Sequence, residues 1–226
     1  MRQLCIGVLA FLASTLAFSN EGIKWSGGVK VWNASASLVS NSGTRTWNTS
    51  SSSSGNISLT GKKENLFVVF STLLPTSYVL DYSSTVGGYL RREDYDIALG
   101  YSFIDNLSLL LGYKNLTYKT DGVSTGTINS SYLGLSGSKL VSDRSFLYGT
   151  FTTSLAVNDS QSNYGGDTQD NQRNSMFEIG TGYALTNSTQ LTLGYRGQYY
   201  VRRYASNNNT ASDVIQGLIF GVNHNF

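Results

Sequence analysis

Large apolar residues alternate with small or polar residues through most of the chain after its first twenty positions. The clearest case runs from Asp96 to Phe103, where odd positions are large and apolar and even positions are small or polar. A period of two places the two kinds of residue on opposite faces of a β-strand. Bilayer-spanning strands require this pattern, because one face meets lipid and the other meets the lumen. Strands of a soluble β-sandwich also alternate, so the sandwich is the competing architecture.

The lengths of the connections favour the membrane architecture. Short connections at 104–106, 141–144 and 186–188 alternate with long polar stretches near 119–129, 158–173 and 204–213. Outer-membrane barrels have this asymmetry, with short periplasmic turns and long external loops. Aromatic residues near strand ends are typical of interface girdles, although the β-propensity of Tyr and Phe is an alternative explanation. The residues concerned include Tyr101, Phe103, Tyr195, Tyr199, Tyr200 and Tyr204.

No apolar run after the N-terminal segment reaches the roughly 18 residues that a transmembrane helix requires. A membrane-spanning chain of this kind can satisfy its backbone hydrogen bonds only as a closed barrel. The pattern therefore predicts an all-β fold, a closed antiparallel up-and-down transmembrane β-barrel of ten strands, with eight as the alternative count. The predicted strands are 24–38, 51–61, 66–79, 91–103, 107–119, 128–140, 145–158, 173–185, 189–204 and 213–226.

The N-terminus has the three parts of a secretory signal peptide. A positive start at Arg2 precedes an apolar run from Leu4 to Ala13, and Ala17 and Ser19 supply small residues before a cleavage site. We expect a signal peptide over 1–19 and a barrel domain over 20–226, with an uncleaved anchor as the alternative. Cys5 would leave with the signal, so the mature chain would have neither a disulfide nor a thiolate metal site.

The last strand carries alternate apolar residues and ends on an aromatic one. Residues Leu218, Phe220, Val222, His224 and Phe226 share one phase. This pattern resembles the C-terminal assembly signal of bacterial outer-membrane β-barrels, in which the third residue from the end is usually aromatic or apolar; His224 departs from it. The resemblance implies an outer-membrane location, with the barrel assembly machinery and periplasmic chaperones as partners. The assembly-signal residues would be Leu218, Phe220, Val222 and Phe226.

Two similar hairpins place opposite charges on adjacent strands. Residues 96–114 align without gaps to 178–196, through duplication or through the shared demands of a barrel hairpin. Folding each hairpin about its turn brings Asp96 opposite Lys114 and Glu178 opposite Arg196, facing the lumen. Such pairs suit a narrow lumen, where an unpaired charge is costly. They would either plug the barrel or form a polar constriction, and the inward glycines would ease curvature or open space.

Composition and motifs indicate few other activities. A net charge of +2, without a basic cluster, argues against a nucleic-acid partner. The one histidine, His224, falls in the lipid-facing phase, so we expect no catalytic residues. Asp94 with Asp96 is a weak candidate for cation binding, and we expect no metal and no cofactor.

The arginine doublets fall at predicted outer strand ends, where lipid and lipopolysaccharide are the expected partners. Arg91, Arg92, Arg202 and Arg203 could bind lipopolysaccharide phosphates there, although a solvated rim would look the same. We expect a small non-enzymatic outer-membrane barrel with surface-exposed loops, serving envelope structure or surface recognition. The alternatives are a narrow porin-like channel for small solutes and, less favoured, an outer-membrane lipid hydrolase.

Overall fold

The computed structural model describes residues 22–40, 45–82, 85–120, 126–159, 169–204 and 210–226. Over these ranges the chain forms eleven β-strands joined in one antiparallel sheet. The predicted signal peptide and its cleavage site lie outside the described residues. No helix in these ranges is long and apolar enough to cross a membrane.

The strands follow the predicted order. Their bounds are β1 Lys24–Ser40, β2 Arg45–Thr49, β3 Ser52–Lys63, β4 Leu66–Tyr82, β5 Thr85–Ile104, β6 Leu107–Thr120, β7 Gly126–Leu140, β8 Ser145–Asp159, β9 Gln169–Ala184, β10 Thr189–Tyr204 and β11 Thr210–Asn225.

The sheet closes into a barrel because its first and last strands pair. Strand β1 pairs with β3 on one side and with β11 on the other. The short strand β2 pairs with the outer ends of β1 and β4, the same two strands that flank β3. Thus β2 and β3 occupy one position, interrupted at Ser50 and Ser51, and the barrel has ten positions. The predicted closed ten-stranded barrel is confirmed, and the eight-stranded and sandwich alternatives are wrong.

The structure extends several strands beyond their predicted outer ends. Strand β2 lies between the predicted strands 24–38 and 51–61, and β4 and β5 continue to Tyr82 and from Thr85. Outside the apolar belt, both faces of a barrel wall can be polar, so the alternation that marks a strand in the sequence disappears. The backbone ladder to neighbouring strands still holds these segments in the wall.

The register of the strands fixes the width of the barrel. Following directly paired residues once around the wall leads from Trp25 to Ser37, twelve residues further along β1. With roughly 3.3 Å per residue and 4.8 Å between strands, a ten-stranded barrel of this shear has its strands tilted by about 40° and a backbone radius of about 10 Å. Long side chains from opposite walls therefore meet near the axis.

The connections at one end of the barrel are short, as predicted. They lie at Glu64–Asn65, Asp105–Asn106, 141–144 and 185–188. Asn106 has a φ of 70°, a left-handed conformation that Asn tolerates better than most residues. We assign this end to the periplasm, following the loop asymmetry of outer-membrane barrels.

The two faces of each strand differ as the alternation predicts. On β5, Ile97 and Leu99 are 50% and 52% exposed, whereas Asp94 and Ala98 on the inner face are each 5% exposed. Outward apolar and aromatic residues form a belt around the barrel, and Tyr101 and Phe103 lie at its periplasmic edge. The interior is the protected core, and the polar residues inside it define the site.

Candidate functional site

The predicted lumen pairs lie opposite each other on adjacent strands and face inward. Asp96 is the register partner of Lys114, and Glu178 is that of Arg196. Arg196 donates to Glu178 through Nε at 2.8 Å and also through Nη2. Lys114 Nζ lies 3.9 Å from Asp96 Oδ2, and Asp96 accepts a 2.6 Å hydrogen bond from the Tyr132 hydroxyl. Each acid therefore has a partner on a neighbouring strand and a second contact inside the barrel.

Three further charged residues join these four inside the barrel. Arg92 Nε and Nη2 donate to the two carboxylate oxygens of Asp94 at 2.8 and 2.7 Å. Lys114 Nζ lies 3.2 Å from Asp94 and so bridges the two inward acids of β5. From β1, Lys30 donates to Glu178 at 2.7 Å. Period-two alternation was the signal that could have placed Arg92 and Asp94 inside, because they share the phase of Asp96.

A chain of hydrogen bonds crosses the full width of the lumen. Strands β5 and β10 are five positions apart in the ten-position ring, and Arg92 on β5 donates to Gln198 on β10. Gln198 in turn donates to Asn174 at 3.2 Å, and Asn174 donates to Ser130 at 3.3 Å. This chain of hydrogen bonds joins opposite walls through the axis. We call it, together with the ion pairs above, the charged layer.

An aromatic ring lies beside two cations of the charged layer. The guanidinium carbons of Arg92 and Arg196 lie 5.9 and 5.5 Å from the Trp32 ring centroid, and Trp32 is 1% exposed. Cation–π attraction adds to the ion pairs at such distances. Asp213 on β11 adds a favourable electrostatic interaction with Arg92. The layer is electrically balanced, as a poorly hydrated interior requires.

Aromatic side chains line the lumen on the periplasmic side of the charged layer. They lie over inward glycines, where a Cβ atom would overlap the ring: Phe67 on Gly100, Tyr132 on Gly112, Phe146 on Gly182 and Tyr148 on Gly180. These glycines therefore open no free space of their own, since rings from neighbouring strands occupy it. Apolar clusters also pack inside the barrel, including Tyr78, Ile215 and Ile219 in one and Leu116, Ile128 and Tyr200 in another.

The described residues line two cavities inside the barrel. A small one of about 40 Å³ sits within the charged layer, against Asp94, Asp96, Lys114 and Arg196. A larger one of about 750 Å³ lies at the periplasmic end, lined by hydroxyl, amide and aromatic side chains of β3 to β8. The small cavity has room for a few water molecules at most. The arrangement supports a closed lumen with a vestibule on one side.

The predicted lipopolysaccharide contact needs a correction at Arg92. Arg91 is exposed on the outer surface, but Arg92 is 2% exposed and points into the lumen. Adjacent residues of a strand face opposite ways, so the doublet cannot present both guanidinium groups to the same phase. The side chains of Arg202 and Arg203 lie outside the described residues.

The terminal strand has the orientation that its sequence phase indicates. Leu218, Phe220, Val222 and Phe226 are exposed on the outer surface. The backbone N–H of Phe226 donates to the Trp25 carbonyl at 2.9 Å, next to the closure between β1 and β11. The His224 ring stacks edge-on against Phe226 with centroids 5.1 Å apart. Recognition of these residues by the assembly machinery remains a prediction.

The described residues give little support for a metal site or for a histidine-activated nucleophile. No group of three or more His, Cys, Asp or Glu residues there is placed to hold a metal ion. The two β5 carboxylates considered for a cation, Asp94 and Asp96, are occupied by Arg92, Lys114 and Tyr132. His224 Nδ1 lies 2.9 Å from Thr189 Oγ1 on the exposed outer surface, away from any cleft.

Comparisons with known proteins support the fold. No family model and no curated protein matches the chain. The outer membrane protease OmpT from Escherichia coli is similar in structure, with a TM-score of 0.58 and 12% identity over 90% of this chain and 97% of that chain. The transport unit of the autotransporter AIDA-I from Escherichia coli has a TM-score of 0.50 and 9% identity over 93% and 92%. The chain therefore has the fold of bacterial outer-membrane β-barrels.

Proposed function

We propose that this chain is a small non-enzymatic barrel of the Gram-negative outer membrane whose lumen is closed. It would serve envelope structure or surface recognition through its outer wall and loops. One observation carries the proposal: the charged layer joins opposite walls of the barrel from Arg92 to Gln198, and a second bond spans the lumen between strands three positions apart, from Lys30 to Glu178. A solute would have to break several buried ion pairs to pass.

The dimensions of the barrel support a closed lumen. A backbone radius of about 10 Å leaves little free width once inward side chains are added. Trp32 and Tyr78 on the inner face are 1% and 0% exposed, which indicates close packing within the charged layer and on its outer side. The narrow channel is the alternative. The two cavities favour it, because they leave unfilled space inside the lumen.

An enzyme role receives less support. OmpT is a protease, but at 12% identity the likeness concerns the fold alone. The chain has one histidine, and His224 lies on the outer wall near the periplasmic end. A hydrolase of the Ser-His kind needs its base inside a cleft beside the nucleophile.

Lipopolysaccharide is the proposed partner of the outer wall. Arg91 on β5 lies directly opposite Lys119 on β6, and both side chains are exposed at the external end. Like charges across a strand pair repel, and a phosphate between them would relieve the repulsion. Glu93 lies two residues along β5 on the same face, so the patch has a net charge of about +1.

We expect Arg91→Ala with Lys119→Ala to weaken lipopolysaccharide binding in a co-purification assay, while Lys139→Ala at the periplasmic end does not.

Planar-bilayer conductance of the refolded mature chain tests the closed lumen. We expect the wild type to be silent, with heat-modifiable gel migration confirming that the barrel is folded. A double variant, Arg92→Ala with Glu178→Ala, removes both cross-lumen bridges and should pass small ions. Arg91→Ala is the matched control, because the adjacent guanidinium faces outward. Steady wild-type channels would overturn the proposal in favour of the narrow channel.

A further inference from the structure

The periplasmic end of the lumen contains a chamber. A barrel that serves only as a closed scaffold does not need such a chamber. Its volume is about 750 Å³, within the usual range for small-molecule sites. Strands β3 to β8 form its walls, and the short turns at Asn65 and at Asp105–Asn106 form part of its mouth. We propose that this chamber binds a neutral saccharide chain through an aromatic platform and a set of serine hydroxyls.

The aromatic platform is the ring of Phe67. Because Gly100 has no Cβ, the ring lies against the wall over this glycine, and the side chain remains half-buried with the chamber beside it. The Tyr148 ring lies against Gly180, its hydroxyl lies against Gly194, and the side chain lines the same chamber. The C–H face of a pyranose ring is apolar and stacks on such rings, while its rim carries hydroxyl groups. A platform fixed by the wall loses little conformational entropy on binding.

Hydroxyl groups surround this platform. Ser102 Oγ and Ser108 Oγ lie 3.0 Å apart on β5 and β6, and Ser136 Oγ lies 2.9 Å from Thr150 Oγ1 on β7 and β8. Each hydroxyl has one donor and two acceptor positions, so pairing leaves capacity for a ligand. The side chains of Asn65 and Asn106 add amide donors and acceptors at the mouth. This mixture matches the alternating donors and acceptors of sugar hydroxyls.

The charge of the lining selects a neutral ligand. The charged side chains that line the chamber are Lys62 and Asp105, one of each sign. A phosphate or a cation would find a single counter-charge, in contrast to the clustered charges deeper in the lumen. An apolar molecule would leave several serine hydroxyls unsatisfied, which costs free energy. In the periplasm, the same chemistry is offered by the glycan strands of the cell wall and by free oligosaccharides.

Binding can be measured on the refolded mature barrel in a detergent without sugar headgroups, such as a dimethylamine oxide. The probes are a tetramer of β-1,4-linked N-acetylglucosamine, representing cell-wall glycan, and a linear glucose tetramer, representing free oligosaccharide. Calorimetry gives the affinity, and backbone NMR shifts locate the site. We expect shifts at Ser102, Ser108 and Ser136 and none at the external ends of the strands.

Variants with matched controls test the platform and the hydroxyls separately. Phe67→Ala should weaken binding about tenfold, equivalent to about 1.4 kcal/mol, whereas Phe70→Ala on the outer face of the same strand should leave it unchanged. If Phe67→Ala fails to fold, the pair Ser102→Ala and Ser108→Ala replaces it, with Ser131→Ala on the outer face as control.

The outcomes decide the proposal independently of the conductance test. Binding of either probe that is lost with the lumen variants and kept by the controls supports the site, and the probe preferred identifies the source. No binding by a folded wild type at millimolar probe overturns the proposal. Binding that the lumen variants leave intact, or that the outward controls also abolish, overturns it as well.

Discussion

Removing the charge of Glu178 should destabilise the barrel strongly. Glu178 accepts hydrogen bonds from Lys30 at 2.7 Å and from Arg196 at 2.8 Å, and it is 5% exposed. Glu178→Gln keeps the shape of the side chain but leaves two cations without their counter-charge. Arg196 also lies beside Trp32, so it cannot turn to solvent without breaking a second contact.

The size of this effect follows from the contacts that are lost. Removing one member of a buried ion pair costs about 3–5 kcal/mol, and hydrogen bonds to charged groups are each worth about 1.5–3 kcal/mol. The amide oxygen of the variant retains one of the bonds, which places the loss near the lower limit, at about 3 kcal/mol. For a urea dependence of roughly 2–3 kcal/mol per molar, the midpoint of unfolding falls by about 1 M.

Urea unfolding of the barrel in lipid vesicles, followed by tryptophan fluorescence, measures this loss. Glu64→Gln is the matched control, because Glu64 lies exposed in a periplasmic turn. The control should remain within about 0.5 kcal/mol of the wild type. If Glu178→Gln is as stable as the control, the ion pairs of the charged layer do not hold the lumen closed, and the reasoning fails.

Three further changes test other parts of the barrel. Gly100→Val should lower the free energy of unfolding by about 1–3 kcal/mol because the added side chain displaces the Phe67 ring; adding Phe67→Ala should recover part of the loss in the same urea assay, and a stable single variant would contradict the packing. Asn106→Ala should cost about 1–2 kcal/mol through its φ of 70°, whereas Asn106→Gly should cost much less. Phe226→Ala should reduce the amount of heat-modifiable barrel in outer membranes while export continues; wild-type levels would argue against the assembly signal.

Much of this protein follows from local sequence pattern. The period-two alternation predicts the strands and which face of each strand is apolar, because the side-chain direction in a strand reverses at every residue. The short turns predict which strands are neighbours, and hairpin register then brings Asp96 opposite Lys114 and Glu178 opposite Arg196. All of these relations lie within one hairpin, so they need no knowledge of how the sheet closes.

The contacts that close the lumen are decided by the tertiary structure. Arg92 and Gln198 are 106 residues apart in sequence, and Lys30 and Glu178 are 148 apart. Strand positions that do not adjoin in the sheet approach only because a barrel of ten strands and this shear brings its opposite walls within reach of long side chains. The sequence carries the charges and their phase, but the barrel radius determines which of them meet. The phase of Arg92 already indicates an inward side chain, whereas its contact with Gln198 across the lumen depends on the barrel radius.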